Sequence, residues 1–313
     1  MEDELNINIL VTGGAGFIGS HIVDALIENG HNVTIIDNLS TGRRENINPK
    51  AKFYEKDIRD DLSEIFEQGK FDIVNHHAAQ IDVRRSVNDP IYDAQINILG
   101  TLNLLQNCVK FGVKKFMFAS TGGAVYGEQD YFPADENHKQ QPLSPYGISK
   151  LAVEKYLYFY KEVHNLRYTI LRYANIYGPR QNPLGEAGVV CIFLDRILSG
   201  QQPIINGNGE QTRDYVYVKD IVKANLLTLE EEESDVYNVG TAIETSVNEL
   251  FQIINSNFNY EIKKVHGPAK PGEQMRSVIT SEKLFKKFNW KPSTMLVDGL
   301  KETIDYYKKL NSK

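Results

Sequence analysis

A strand-to-helix turn built on glycine constrains this chain more than any other feature. Asn6–Thr12 reads as a buried strand and runs into Gly13-Gly-Ala-Gly16-Phe17-Ile18-Gly19. An apolar helix, Ser20–Asn29, follows and stops at Gly30. Glycines at positions 13, 14, 16 and 19 let the backbone approach a pyrophosphate closely. They also let the backbone N–H groups and the helix N-terminus face that charge. A second strand, Asn32–Ile36, ends at Asp37. A carboxylate there accepts hydrogen bonds from the adenosine ribose diol and repels a 2′-phosphate. Arg43 and Arg44 would suit NADP, but they lie six residues or more past the strand, so NAD is the expected dinucleotide.

Strands and helices go on alternating. Lys52–Tyr54 reads as a strand before Asp57-Ile58, Asp61–Gln68 as a helix, and Phe71–Asn75 as a strand ending at His76-His-Ala-Ala-Gln80. Pro90–Phe111 reads as one long helix, Lys115–Ala119 as a strand, Leu143–Val163 as a helix and Tyr168–Tyr173 as a strand. Such alternation implies a parallel sheet covered on both faces, with ligands at the carboxyl ends of its strands. Asp37, Asp57, Ala78–Gln80, Ser120–Thr121 and Tyr173–Asn175 all fall at such ends. The expected fold is a doubly wound α/β Rossmann sheet with a smaller mixed α/β substrate-binding region at the C-terminus. A net charge of −6 argues against nucleic acid or an anionic membrane as the main partner. No apolar run reaches the roughly 18–20 residues that span a bilayer. The acidic start Met1-Glu-Asp-Glu4 is unlike a secretory signal. Cys108 and Cys191 lack metal spacing and read as reduced thiols, so a cytoplasmic protein without a bound metal is expected.

The chemistry is carried by Tyr146 and Lys150, four apart on the helix 143–163 and therefore on one face. A free tyrosine titrates near about pH 10 and is a poor base at neutrality. An ammonium about 4 Å away contributes roughly 4 kcal/mol, or about three pKa units, and a cationic nicotinamide adds to it.

After Gly178 the texture changes. Gly188–Ser199 reads as a helix, Asn206-Gly-Asn-Gly209 as a turn, Arg213–Val218 as a strand and Asp220–Leu229 as a helix. Glu230–Ser234 reads as a solvated charge run, with helices near Ser246–Asn255, Ser281–Phe288 and Leu296–Leu310. The expected division is a nucleotide-binding part over 1–177, joined by 211–240, and a substrate-binding part over 178–210 and 241–313.

The chain resembles the extended short-chain dehydrogenase/reductase family, and within it the UDP-galactose (UDP-glucose) 4-epimerases. The resemblance is carried by Thr12–Ser20, Asp37-Asn-Leu-Ser-Thr-Gly42, Asp57-Ile58, His77-Ala-Ala79 and Asn97. Ala119-Ser-Thr-Gly-Gly-Ala-Val-Tyr-Gly127, Tyr146–Lys150, Leu171–Pro179 and Arg213-Asp-Tyr215 extend it. It implies that NAD lies against Gly13, Gly16, Phe17, Ile18 and Gly19, and against Asp37, Asn38, Ser40, Thr41 and Gly42. Asp57, Ile58, Ala78, Ala79, Gln80, Asn97, Lys150 and Tyr173 would complete that site. It implies a UDP-sugar against Asn175, Val189, Val190, Asn206, Arg213, Lys270 and Glu273, and a homodimer through the helices near 90–111 and 143–163. Tyr146 as phenolate would take the proton of the sugar 4-hydroxyl while NAD takes the C4 hydride and later returns it to the other face.

Ser120 and Thr121 both offer the hydroxyl that the family aims at the reacting sugar oxygen, and the choice between them stays open here. Family dehydratases place Asp-Glu after the Thr, and the decarboxylases a Glu. Gly122-Gly-Ala124 has no titratable group and lacks the acid and base that elimination needs. UDP-glucuronate epimerases carry an Arg where this chain has Asn182. A neutral hexose is therefore the expected substrate, with those relatives, a one-way reductase and a non-catalytic binding protein as the competing readings. Where the family gates the sugar's C2 substituent, with a large Tyr excluding N-acetyl groups, this chain has Ser277. It is therefore expected to accept UDP-GlcNAc as well as UDP-Glc.

Overall fold

The computed structural model describes residues 6–182, 188–270 and 274–311. From the N-terminus come β1 (Asn8–Thr12), α1 (Phe17–Glu28), β2 (Asn32–Asp37), β3 (Lys52–Glu55), α2 (Ser63–Gly69) and β4 (Ile73–His76). Helices α3 (Val83–Asn88) and α4 (Pro90–Ala94) precede a π-helical turn, Gln95–Gly100, which continues into α5 (Thr101–Phe111). Then follow β5 (Lys115–Thr121), α6 (Pro145–His164), β6 (Arg167–Tyr173), β7 (Asn175–Tyr177), α7 (Val189–Leu198) and β8 (Ile205–Asn206). The remainder is β9 (Thr212–Arg213), β10 (Tyr215–Tyr217), α8 (Val218–Leu227), β11 (Asp235–Val239), β12 (Thr245–Ser246), α9 (Val247–Asn255), β13 (His266–Gly267), β14 (Arg276–Ser277), α10 (Glu282–Phe288) and α11 (Leu296–Asn311).

Seven strands form one sheet in the order β3-β2-β1-β4-β5-β6-β11, and every pairing in it is parallel. The order reverses between β1 and β4, which opens a crevice at their carboxyl ends. The strands read as near-continuous apolar runs because both faces are covered. Leu10, Val74, Phe116, Phe118 and Ile170 face a core built with α2, α5 and α6. Ile9, Val11, Ile35, Met117 and Val239 face one built with α1, α8 and α10. Each fully buried Ile, Leu or Phe is worth about 1.5–3 kcal/mol. A third core, around Phe193, Tyr217, Phe251 and Ile304, joins α7, α9 and α11.

Residues 218–239 belong to the sheet layer: α8 packs on α1, and β11 extends the sheet beside β6. The charge run before β11 is not simply solvated. The buried Lys115 ammonium donates to the carbonyls of Thr228 (2.5 Å), Leu229 (3.1 Å) and Glu231 (2.8 Å). A cation there satisfies carbonyls that the end of α8 leaves without helical partners.

Two expected elements are split. The helix over 90–111 contains the π turn, where the Thr101 hydroxyl donates to the Asn97 carbonyl at 2.7 Å. The strand expected over 213–218 is two short strands hinged at Asp214, β9 in a sheet with β12 and β14, and β10 beside β7. After the two-residue strand Arg276–Ser277, Ile279 makes an isolated bridge to Ala134. No helix among the described residues is long and apolar enough to cross a membrane.

Candidate active site

The glycine loop is a cradle that side chains would fill. Gly13 has φ +68, and a Cβ on it would lie 2.6 Å from the Ala78 nitrogen. A Cβ on Gly19 would overlap the Gly13 carbonyl. Helix α1 starts from Gly16, and no side chain caps its N-terminus. Asp37, buried at the end of β2, accepts from the backbone N–H of Ala15 (3.0 Å) and Leu39 (2.8 Å). Burial raises its pKa, while those two N–H groups oppose the rise. Its carboxylate thus fixes the glycine loop against residues 38–42 and keeps lone pairs for a further donor. A Cβ on Gly42 would come within 2.8 Å of it. The nearby arginines are engaged elsewhere, Arg44 with Glu55 and Arg43 with Glu45. This open, amide-lined cradle beside a carboxylate fits the diphosphate and ribose of a dinucleotide.

Several expected contacts have their side chains taken up by the protein. Asn97 accepts from the Gln80 N–H (2.9 Å) and donates to the Gln80 carbonyl (2.8 Å) and Asp93 (3.0 Å). The Gln80 amide donates to the Asp82 carbonyl and to Asp93, each at 2.9 Å, and accepts from the Asp82 N–H. These side chains shape the loop 78–80. Asn38 donates to Asp57, which Arg59 holds in a two-pronged pair that lowers its pKa to about 2. The Asn38 side-chain Oδ1 accepts from the Ser40 N–H, and Ser40 and Thr41 are exposed. Ile58 is buried against Gly100. The Tyr173 hydroxyl accepts from Asn225 at 2.9 Å beneath the sheet end, and its ring stacks on His77. Val190 is in the third core, while Val189 is half-buried at the first turn of α7.

The buried Asp93 was not anticipated and is a hub. Besides Gln80 and Asn97, it accepts from the Ser149 hydroxyl at 2.6 Å, which joins α4, the loop after β4 and α6. Helix α6 begins with Ser144 capping the Gly147 N–H and Pro145 in its first turn, and the Tyr146 N–H donates to Ser86. Lys150, one turn on and 4% exposed, donates to the Ala119 carbonyl at 2.9 Å. It lies 4.7 Å from the Phe118 ring centre and 5.9 Å from that of Tyr146. Burial lowers its pKa to about 8, against the pull of Asp93 and Glu154.

The adjacent hydroxyls at the end of β5 point to different places. Ser120 donates to Glu154 at 2.6 Å, within a buried pair between Glu154 and Arg172. The Thr121 hydroxyl makes no hydrogen bond to the protein among the described residues. It flanks a small space over Gly123 that Asn175 and Ser277 also border. Ser277 pairs in register with Arg213 across β14 and β9. The half-buried guanidinium of Arg213 donates to its neighbour's carbonyl at 2.8 Å, and among the described residues no carboxylate pairs with it. Asp214, whose pKa burial raises to about 6, is turned away to Thr241 and Ala242. Asn206, the last residue of β8, and Lys270, on a loop of the C-terminal part, are half-buried, and Glu273 lies outside the described residues.

The sequence matches the family described as NAD dependent epimerase/dehydratase over residues 9–240. The chain belongs to that family. It is 39% identical over 306 residues to the UDP-glucose 4-epimerase of Mycolicibacterium smegmatis, covering 96% of this chain and 98% of the relative. A solved structure of the Thermotoga maritima UDP-glucose 4-epimerase with UDP-glucose superposes with a TM-score of 0.95 at 49% identity, over 97% of this chain and 99% of that one. The UDP-N-acetylglucosamine 4-epimerase of Methanobrevibacter ruminantium, in complex with UDP-N-acetylmuramic acid, gives a TM-score of 0.92 at 39% identity, over 97% and 99%. NAD is the cofactor of this family, and α6 carries the Tyr-x-x-x-Lys pair.

Proposed function

We propose that this protein interconverts UDP-hexoses at C4, with NAD retained between turnovers and Tyr146 as the acid/base. The observation that carries the reading is the turn after β5. The Thr121 hydroxyl just before it has no hydrogen-bond partner among the described residues, and the next three residues carry no titratable group. A Cβ on Gly147 would lie 2.9 Å from the Ala124 carbonyl, so this turn lies against the start of α6. A site so built deprotonates a hydroxyl but has no acid and base for expelling water. NAD, when bound, supplies the acceptor and later the donor of the C4 hydride. Thr121 orients the sugar hydroxyl, Tyr146 holds its proton, and the Lys150 ammonium stabilises the phenolate. Arg213 and Lys270 hold the diphosphate, and the fork of Arg213 suits two phosphate oxygens. Asn175 and the residues near Asn206 and Val189 support the nucleotide, Glu273 takes the uridine ribose, and the sugar stays loosely held.

Ser277 is buried near Thr121 and Asn175, at the position where the family gates the sugar's C2 substituent. The enzyme is expected to accept UDP-GlcNAc as well as UDP-Glc. Ser277→Tyr should lower kcat/KM for the acetamido sugar by at least about 10-fold, as expected of filling a pocket, and spare the plain hexose. Side-by-side kinetics on both substrates check this, and a variant that still takes UDP-GlcNAc contradicts the gate.

A homodimer is part of the proposal. Ile91 and Leu99 before α5, and Ile148 and Phe159 on α6, expose 70%, 57%, 53% and 47% of their surface, an apolar face suited to a four-helix contact. The buried, unpaired thiols of Cys108 and Cys191 suit a cytoplasmic setting.

A further inference from the structure

Gly123 is a glycine that neither the backbone nor the packing of the protein requires. Its φ lies outside the left-handed region, so an L-residue adopts its conformation without strain. A Cβ there would come no closer than 3.7 Å to the Asn175 Oδ1, 3.8 Å to the Thr121 Oγ1 and 3.9 Å to the Ser277 Oγ, all ordinary contacts. Its neighbours differ. A Cβ on Gly122 would lie 2.6 Å from Ile279, and Gly127 has φ +65. Three polar atoms from three separate strand ends therefore converge on a point that the protein leaves empty without any internal reason.

We infer that the missing side chain of Gly123 makes room for the reacting edge of the hexose, so that Gly123 is a positioning residue for the sugar and not for UDP or NAD. The inference rests on the epimerase reading and adds to it the place where the sugar sits. A sugar hydroxyl bonded to Thr121 lies about 2.8 Å from its oxygen. Approached from the side that Asn175 and Ser277 also face, that position overlaps the volume an alanine methyl would fill. The methyl would leave the protein's own packing intact and push the hexose away from Thr121 and Tyr146.

The test is Gly123→Ala, prepared as the holoenzyme and compared with wild type in four measurements. The expected result is unchanged Tm, unchanged NAD content, a Kd for UDP within about twofold of wild type, and kcat/KM for UDP-glucose down by at least about 10-fold. The affinity for UDP-glucose relative to UDP should fall in parallel. That ratio is read without turnover, so it separates this inference from the epimerase reading: an inactive wild type overturns the latter alone. A variant with wild-type kcat/KM and wild-type UDP-glucose affinity overturns the inference. So does equal loss of UDP and UDP-glucose, or a lowered Tm, since either would give Gly123 a role other than making room for the sugar.

Discussion

Tyr146→Phe is expected to keep the fold and the bound NAD while lowering turnover of UDP-glucose by at least about 100-fold, the usual scale for a positioned acid/base. The substitution removes one hydroxyl. The helix start is fixed by Ser144, Pro145 and the bond from the Tyr146 N–H to Ser86, all of which the variant retains. Lys150 is held by the Ala119 carbonyl and lies over the Phe118 ring, so its position does not depend on the tyrosine hydroxyl. What disappears is the atom that takes the proton of the sugar hydroxyl presented by Thr121. Binding of UDP-glucose should change little, so the loss should fall on kcat. Near-normal epimerisation by this variant, with NAD content measured on the same sample, would contradict the assignment of Tyr146.

Glu154→Leu should destabilise the fold by about 3–5 kcal/mol, the cost of removing one partner of a buried ion pair. Glu154 and Arg172 are both 3% exposed at the side chain and meet in two bonds, from the Arg172 Nε at 3.0 Å and Nη2 at 2.5 Å. Among the described residues, the leucine would leave the buried guanidinium with only the Tyr126 hydroxyl as a hydrogen-bond partner, at 3.0 Å. It would also leave the Ser120 hydroxyl without its acceptor. Ser120 sits between Ala119, whose carbonyl holds Lys150, and Thr121, so activity should fall together with stability. Replacing Arg172 by Met in the same chain should restore much of the loss, because an apolar pair of similar volume often replaces a buried ion pair at little cost. Urea unfolding of the single and double variants measures this. A single variant within about 1 kcal/mol of wild type would show that the pair does not organise the end of β5.

Much of the fold was legible because it repeats simple periods. The glycine loop, the acid ending β2 and the Tyr-x-x-x-Lys pair each depend on spacing along one or two elements, and the structure brings them to the carboxyl ends of one sheet. Less was legible where neighbours in sequence part company in space. Ser120 and Thr121 could not be told apart as unpaired residues, although strand alternation held a clue. Ser120 shares its face with Phe118, which packs toward α6, whereas Thr121 shares the other with Ala119. The Asp93 hub also had a signal, since Asp93, Asn97 and Thr101 are spaced by four along the helix expected over 90–111. Such a polar ladder is as well suited to holding a neighbouring loop as to meeting a ligand, and the Asn97 amide does the former. The C-terminal part was least legible because its strands are only two residues long in β8, β9, β12, β13 and β14, too short for any period to register. Asp214 splits one expected strand through bonds to residues 241–242, a partnership far along the chain that no local pattern carries.

The most direct measurement is a proton NMR time course of the purified protein with UDP-glucose and no added cofactor, beside a bound-nucleotide assay on the same preparation. NAD should co-purify with the protein, and UDP-galactose should accumulate to a constant ratio with UDP-glucose, with no net consumption of NAD. An NAD-loaded protein that leaves UDP-glucose and UDP-GlcNAc unchanged, or that converts them only while consuming added NAD or NADP stoichiometrically, would contradict the epimerase reading.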